Sequence, residues 1–298
     1  MDRRRYLQAL GAGGALSVAG CLGVGDGGNG GERGRAGGTL TLAAATTTHD
    51  SGLLDALVPE FEDALGADVR AVARGSSGAL RTARDGDADV VLVHARSLED
   101  AFLRDGHGVN RRALMVNDFL VVGPPDDPAD AAGRDPPDAF AAVADAGAQF
   151  LSRGDGSGTH VREREIWDAA GVDPGGGWYS ETGQGMGDTL VAARRVDAYT
   201  LVDRGTFLNV ASGDLVAHVD RGIDDPPPLL RNAYAVIPTN PARHDAAYVL
   251  AMAFVGHLTG PGQRTIADFR VDGERAFRPI GRREGPNFEQ YVPSDWER

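Results

Sequence analysis

Four short segments of this sequence place hydroxyls and glycines where a strand should give way to a helix. They are Thr46-Thr47-Thr48, Gly75-Ser76-Ser77-Gly78, Ser152 to Thr159 and Thr182 to Gly187. The first turn of a helix carries N–H groups without intrahelical partners, and its dipole favours negative charge. Neighbouring hydroxyls add donors, and glycine lets the backbone approach a ligand closely. Taken singly, each segment is most simply a helix cap. Four of them at the strand carboxyl ends of one α/β body point instead to an anion-binding cleft. A fully deprotonated tetrahedral dianion suits such a lining, because it accepts hydrogen bonds and donates none. Arg153 is the expected charged ligand, adding bonds about twice as strong as neutral ones; a salt bridge to Asp155 is the plainer alternative. Arg74 and Arg204 are weaker candidates for that role.

Catalytic motifs are missing from the same residues. The chain contains no Lys, which excludes a P-loop and a Schiff base. Gly154-Asp155-Gly156-Ser157-Gly158 lacks the GxSxG nucleophile elbow. The seven histidines show no HExxH spacing, so no zinc site is expected. Residues 183–187 (GQGMG) do not form the GxGxxG fingerprint. His94 closes an apolar run and reads as a hydrogen-bonded core histidine. The expectation is a binding protein, not an enzyme, with neither cofactor nor metal.

The elements that must position these loops follow a strand–loop–helix rhythm from Thr39 onward. Residues 39–46 alternate and lead into a polar loop; Leu53, Leu54, Leu57, Phe61 and Leu65 then fall at helical spacing. Strands are expected at 68–73, at 89–94 as a continuous apolar run, and at 118–123. Pro, Asp and Ala crowd residues 124–138, which reads as a boundary. A second unit follows, with strands near 149–151 and 198–202, a helix to Ala170 and another beginning at Asp188. Residues 232–238 look like a return strand, and an apolar helix at 248–258 should pack back on the first unit. The predicted class is α/β with a mostly parallel sheet and two lobes, the ligand lying between them. Residues 39–120 and 239–298 would form lobe 1 and residues 121–238 lobe 2. The lobes would close about the strands near 118–123 and 232–238.

Ahead of this body, the N-terminus reads as a processing signal. Arg3-Arg4-Arg5-Tyr6-Leu7 has the look of a twin-arginine export signal, and the weakly apolar run after it is too short to span a bilayer. Ser17-Val18-Ala19-Gly20-Cys21 looks like a lipoprotein cleavage box, giving a signal at 1–20 and a lipid on Cys21. Cys21 is the only cysteine, so an intrachain disulfide is impossible. Residues 21–38 form a glycine-rich tether that would hold the body roughly 20–25 Å from its anchor. The expected location is the outer face of the cell membrane. Apolar residues make up 42% of the chain, enough for a sizeable core. The formal net charge of −13, with every cation an Arg, suits a surface hydrated in concentrated salt, as in halophilic proteins. It also argues against nucleic acid as a partner.

The loops and their flanks resemble one family, the tungstate-binding proteins of Tup-type ABC transporters. The resemblance is carried by ATTT (45–48) with DSGLL (50–54), DGDADVVLVHA (85–95), NDFLVVGP (117–124), SRGDGSGTH (152–160), WYSETGQGMGDTL (178–190) and AYTLVDRGT (198–206). It implies a type II periplasmic-binding-protein-like fold, tungstate as ligand, and an ABC permease with its ATPase as partners. It further implies oxyanion contacts from Thr47 or Thr48, from Ser76 or Ser77, and from Arg153, Ser157 and Thr159. Backbone N–H groups of Gly185 and Met186 would join them. The chain departs from the pattern twice. His49 alone separates Thr48 from Asp50, so the family's serine is missing or replaced by Thr48. The second loop reads GSSGAL (75–80) where the family has GTGQAL, which loses a glutamine. Molybdate, sulfate and phosphate are alternative ligands on the same fold, phosphate because Asp50 and Asp155 lie near the loops and a carboxylate can accept its proton.

Overall fold

Apolar strands alternate with amphipathic helices in the computed structural model, which describes residues 37–210 and 215–282 together with Tyr291 and Pro293. The export signal, Cys21 and nearly all of the tether lie outside the described residues. Strand β1 (Thr39–Ala45) runs directly into a short helix α1 (Thr46–Asp50) and then α2 (Leu53–Leu65). Next come β2 (Asp68–Arg74), α3 (Ser76–Arg84), β3 (Val90–Val93), α4 (Arg96–Arg104) and the long β4 (Arg112–Gly123). The middle of the chain holds α5 (Pro136–Ala146), β5 (Phe150–Ser152), α6 (Gly158–Ala170), β6 (Tyr179–Glu181) and α7 (Met186–Arg195). It continues with β7 (Thr200–Asp203), α8 (Arg204–Val210) and β8 (Val216–Val219). The return is made by β9 (Arg231–Pro238), α9 (Tyr248–Thr259), α10 (Gly262–Asp268) and three two-residue strands, β10 (Arg270–Val271), β11 (Glu274–Arg275) and β12 (Arg278–Pro279).

The main sheet has the order β12-β4-β9-β3-β1-β2, and β7 and β8 also pair with β4. Strand β4 ties the molecule together. Its first part, Arg112 to Asp118, pairs with β9, and its second part, Phe119 to Gly123, pairs with β7 and β8. Its residues from Leu114 to Gly123 are all buried, as a strand covered on both faces requires. Leu114 and Met115 join a core with Leu40, Leu57, Phe61 and Phe254 from β1, α2 and α9. Phe119 and Val121 instead join Phe140, Phe150 and Trp167. Each half therefore wraps helices around its own share of the sheet. Helix α9 packs against β9, β4 and α2, as its apolarity predicts.

Two local expectations need correction. The sheet is mixed, not mostly parallel: β1 runs parallel to β2 and β3, but β9 is antiparallel to β3, and β7, β8, β9 and β12 are all antiparallel to β4. The strands that cross between halves enter from the opposite end, so they reverse the local direction. Thr46-Thr47-Thr48 is a helical turn, not a polar loop. Helices α3, α6 and α7 likewise begin at Ser76, Gly158 and Met186, which places the loop residues within first turns.

Candidate functional site

The four hydroxyl-rich segments converge. Ser77 Oγ donates to the Asp155 carbonyl at 3.5 Å, and Arg153 Nε donates to the Gln184 carbonyl at 3.3 Å. Gly187 N donates to Asp50 Oδ2 at 3.3 Å, joining α7 to α1. Two glycines permit this closeness. A Cβ on Gly75 would sit 3.1 Å from Asp155 Oδ2 and 3.2 Å from Ser157 Cβ; one on Gly158 would strike the His94 ring at 2.5 Å. Helices α3 and α7 start from Gly75 and Gly185 without a side-chain cap, leaving their first-turn N–H groups to other acceptors.

The predicted contact residues differ in what their polar atoms already do. Arg153 is buried, with 1% of its surface exposed; its Nη2 donates to Asp155 Oδ2 at 2.6 Å, and its Nη1 is buried without a partner. Asp155 also accepts from Ser157 N, which fixes the carboxylate behind the arginine. Thr48 Oγ1 and Thr159 Oγ1 are buried without partners, as is Thr46 Oγ1. Ser157 caps α6 by accepting from His160 N, and Ser76 Oγ accepts from His94 N at 3.4 Å. Met186 buries its side chain among Leu120, Leu151 and Leu190, so only its backbone faces the question of a ligand. Thr47 stands apart. Its hydroxyl accepts from Tyr234 at 3.0 Å and lies 3.3 Å from His94 Nε2, inside a network of its own.

Of the weaker candidates, neither arginine joins the cluster. Arg204 is bound to Asp118 through two 2.7 Å bonds and also pairs with Asp220. Arg74 is exposed and donates to the Ala73 carbonyl. His49 is exposed; it lines a cleft of about 600 Å³ together with Thr46, Asp50, Gly185 and Asp188. Burial raises the Asp50 carboxyl above its ordinary range, against the pull of its bond from Gly187.

Sequence reasoning placed His94 in the core but missed its partners. His94 Nδ1 lies 2.7 Å from Asn232 Oδ1, and the ring stacks on Tyr234 with centroids 4.8 Å apart. Burial drives its pKa down to about 3, so the ring is neutral at ordinary pH. Asn232 in turn donates to Asn117 Oδ1, and Asn117 donates to Asp203 Oδ1. The available signal was an Asn at the start of each of two largely apolar runs, residues 117–123 and 232–238. Among the described residues no cluster of His, Cys, Asp and Glu could hold a metal ion, and no helix is long and apolar enough to cross a membrane.

A family model described as a PBP superfamily domain matches residues 30–261. The chain belongs to the PBP superfamily. Within it the chain is similar to proteins of anion import. A Haloferax volcanii protein, provisionally named an ABC transporter anion-binding protein, is 51% identical, covering 100% of this chain and 91% of the relative. The tungstate-binding protein TupA of Peptoclostridium acidaminophilum is 40% identical over 78% of this chain and 80% of its own length. The crystal structure of the tungstate ABC transporter from Geobacter sulfurreducens superposes with a TM-score of 0.71 at 44% identity, covering 78% of this chain and 98% of the other. The two-lobe α/β expectation and the family resemblance both hold.

Proposed function

We propose that this protein captures tungstate, a tetrahedral oxyanion, and hands it to an ABC importer. The observation that carries the reading is a buried arginine with a spare Nη1 and the unpartnered buried hydroxyls of Thr48 and Thr159, all within the hydrogen-bonded segments that converge. A buried donor without a partner costs about 1–3 kcal/mol, so three of them in converging loops are readily explained by a ligand that accepts. The tungstate-binding relatives support the choice of anion. In this reading Arg153, Thr48 and Thr159 grip the oxyanion, Ser76, Ser77 and Ser157 add hydroxyls, and Gly185 and Met186 add N–H groups. Thr47 contributes from behind. The protein binds and releases without catalysis and needs no cofactor.

The same reading places the protein outside the cytoplasm, anchored through a lipid on Cys21, with a permease and its ATPase as partners. Residues 39–120 and 239–298 act as one lobe and residues 121–238 as the other, except that β9, paired with β3, goes with the first; the lobes close about β4 and β9. A nanomolar site requires about −12 kcal/mol, within reach of ten or so charge-assisted and neutral hydrogen bonds in a preorganised cleft. Isothermal titration of the protein with tungstate, molybdate, sulfate and phosphate in high salt tests it. Tight tungstate binding with weak sulfate and phosphate is the expected outcome, and the molybdate ratio fixes the selectivity. Absence of heat with every oxyanion would overturn the reading.

A further inference from the structure

We infer that Asp203 is a positioning residue for the site: through Asn117, Asn232 and His94 it sets the direction in which the Thr47 hydroxyl points its proton. The chain of bonds runs from the end of β7 across β4 and β9 to α1, and every member is buried. Asn117 and Asn232 are register partners on the two strands that cross between halves.

The direction is fixed at one end by the backbone. Thr206 N donates to Asp203 Oδ1 at 3.0 Å, and a backbone N–H cannot reverse its role. Oδ1 is therefore an acceptor whether or not the carboxyl holds a proton on Oδ2. Asn117 Nδ2 donates to the same oxygen at 3.2 Å, which leaves Asn117 Oδ1 to accept from Asn232 Nδ2 at 2.7 Å. Asn232 then turns its Oδ1 to His94 Nδ1, 2.7 Å away, so that nitrogen carries the hydrogen. In a neutral imidazole the other nitrogen accepts, and Thr47 Oγ1 lies 3.3 Å from it. Tyr234 closes the loop: its hydroxyl accepts from Asn232 Nδ2 and donates to Thr47 Oγ1, each at 3.0 Å. The Thr47 proton is thus committed inward to His94. Thr48 Oγ1, buried without a partner, is the hydroxyl of that turn left for an anion. Only this last clause rests on the proposed function; the tautomer does not.

The test uses ligand-free, full-length protein labelled with 15N-histidine. Two-bond 1H–15N spectra at pH 7 read the tautomer, and His94 is assigned by the signal missing from His94→Gln. The expected wild-type pattern is Nδ1–H, retained in Asp203→Asn because the carboxamide oxygen keeps the Thr206 bond. Asp203→Ala should give a mixture of tautomers. An Nε2–H pattern in the wild type would overturn the relay. So would an unaltered pattern in Asp203→Ala, or, should that variant not fold, loss of the pattern in Asp203→Asn. Titration with tungstate then separates the two threonines. Thr48→Val should weaken binding about tenfold and Thr47→Val less than fivefold, and the reverse order would overturn the assignment of Thr47. If the wild type shows no tungstate binding but the tautomers are as expected, the relay stands and the ligand reading fails.

Discussion

Arg153 and Arg204 both turn inward beside a carboxylate, yet they end in opposite chemical states. Arg204 binds Asp118 with Nε and Nη2 at 2.7 Å each, and Asp220 also pairs with it. One guanidinium faces two carboxylates, so nothing about it calls for another anion. Arg153 faces the single carboxylate of Asp155, is more deeply buried, and keeps Nη1 without a partner. The difference lies in the balance of donors and acceptors around each residue. A buried arginine supported by fewer acceptors than it has donors is poised to bind an anion, whereas one saturated by carboxylates is a structural clamp.

Replacing each arginine by methionine, which keeps apolar volume and removes the donors, should break the comparison in opposite ways. Arg153→Met should weaken oxyanion binding by about 3–5 kcal/mol, a loss of more than a hundredfold, with calorimetry as the measurement. Near-wild-type affinity would remove Arg153 from the site. Arg204→Met should leave affinity within about threefold but lower stability by about 3 kcal/mol, because Asp118 would remain buried without its cation. Chemical denaturation reads that loss; an unchanged midpoint would mean that the clamp contributes nothing.

The two arginines also mark where the sequence is legible. Arg153 was readable because it sits in the most donor-rich loop, between a strand and a helix that hydrophobic spacing had already located. Arg204 was ambiguous because its carboxylates come from β4 and from the segment after β8, which are distant in sequence. The same holds for Thr47, whose neighbours Thr46 and Thr48 look identical in a sequence. Only the fold shows that Thr47 faces Tyr234 and His94. The α/β pattern, the return strand and α9 were visible in local periodicity. The antiparallel pairings of β4 were not, since strand direction depends on where the chain re-enters a sheet and leaves no mark on alternation.

The hydroxyls sharpen the comparison at a smaller scale. Thr48→Val and Thr159→Val each remove one neutral donor while keeping a β-branched shape, so each should cost about 1–1.5 kcal/mol of affinity, roughly tenfold. Ligand-free stability should rise or hold, because each change deletes a buried hydroxyl that has no partner. A fall in stability with unchanged affinity would show that these hydroxyls serve the fold.

The smallest effect concerns pH. His94 is the histidine bonded to the threonine turn, and burial holds its pKa near 3, well below its ordinary 6.5. The folded state therefore refuses a proton that the unfolded chain accepts. This residue's contribution to stability is present above pH 6.5 and declines by about 1.4 kcal/mol per unit as the pH falls toward 3. His94→Gln should flatten that part of the acid slope in denaturation measured between pH 6.5 and 4.5. Affinity follows a different rule, since the ring stays neutral throughout the useful range. Oxyanion binding should change by no more than about twofold between pH 6.5 and 8.5. A cationic histidine of ordinary pKa in the site would instead lose roughly fiftyfold over that interval as it deprotonates. A loss of that size that disappears in His94→Gln would make His94 part of the charge that binds the anion, beside Arg153.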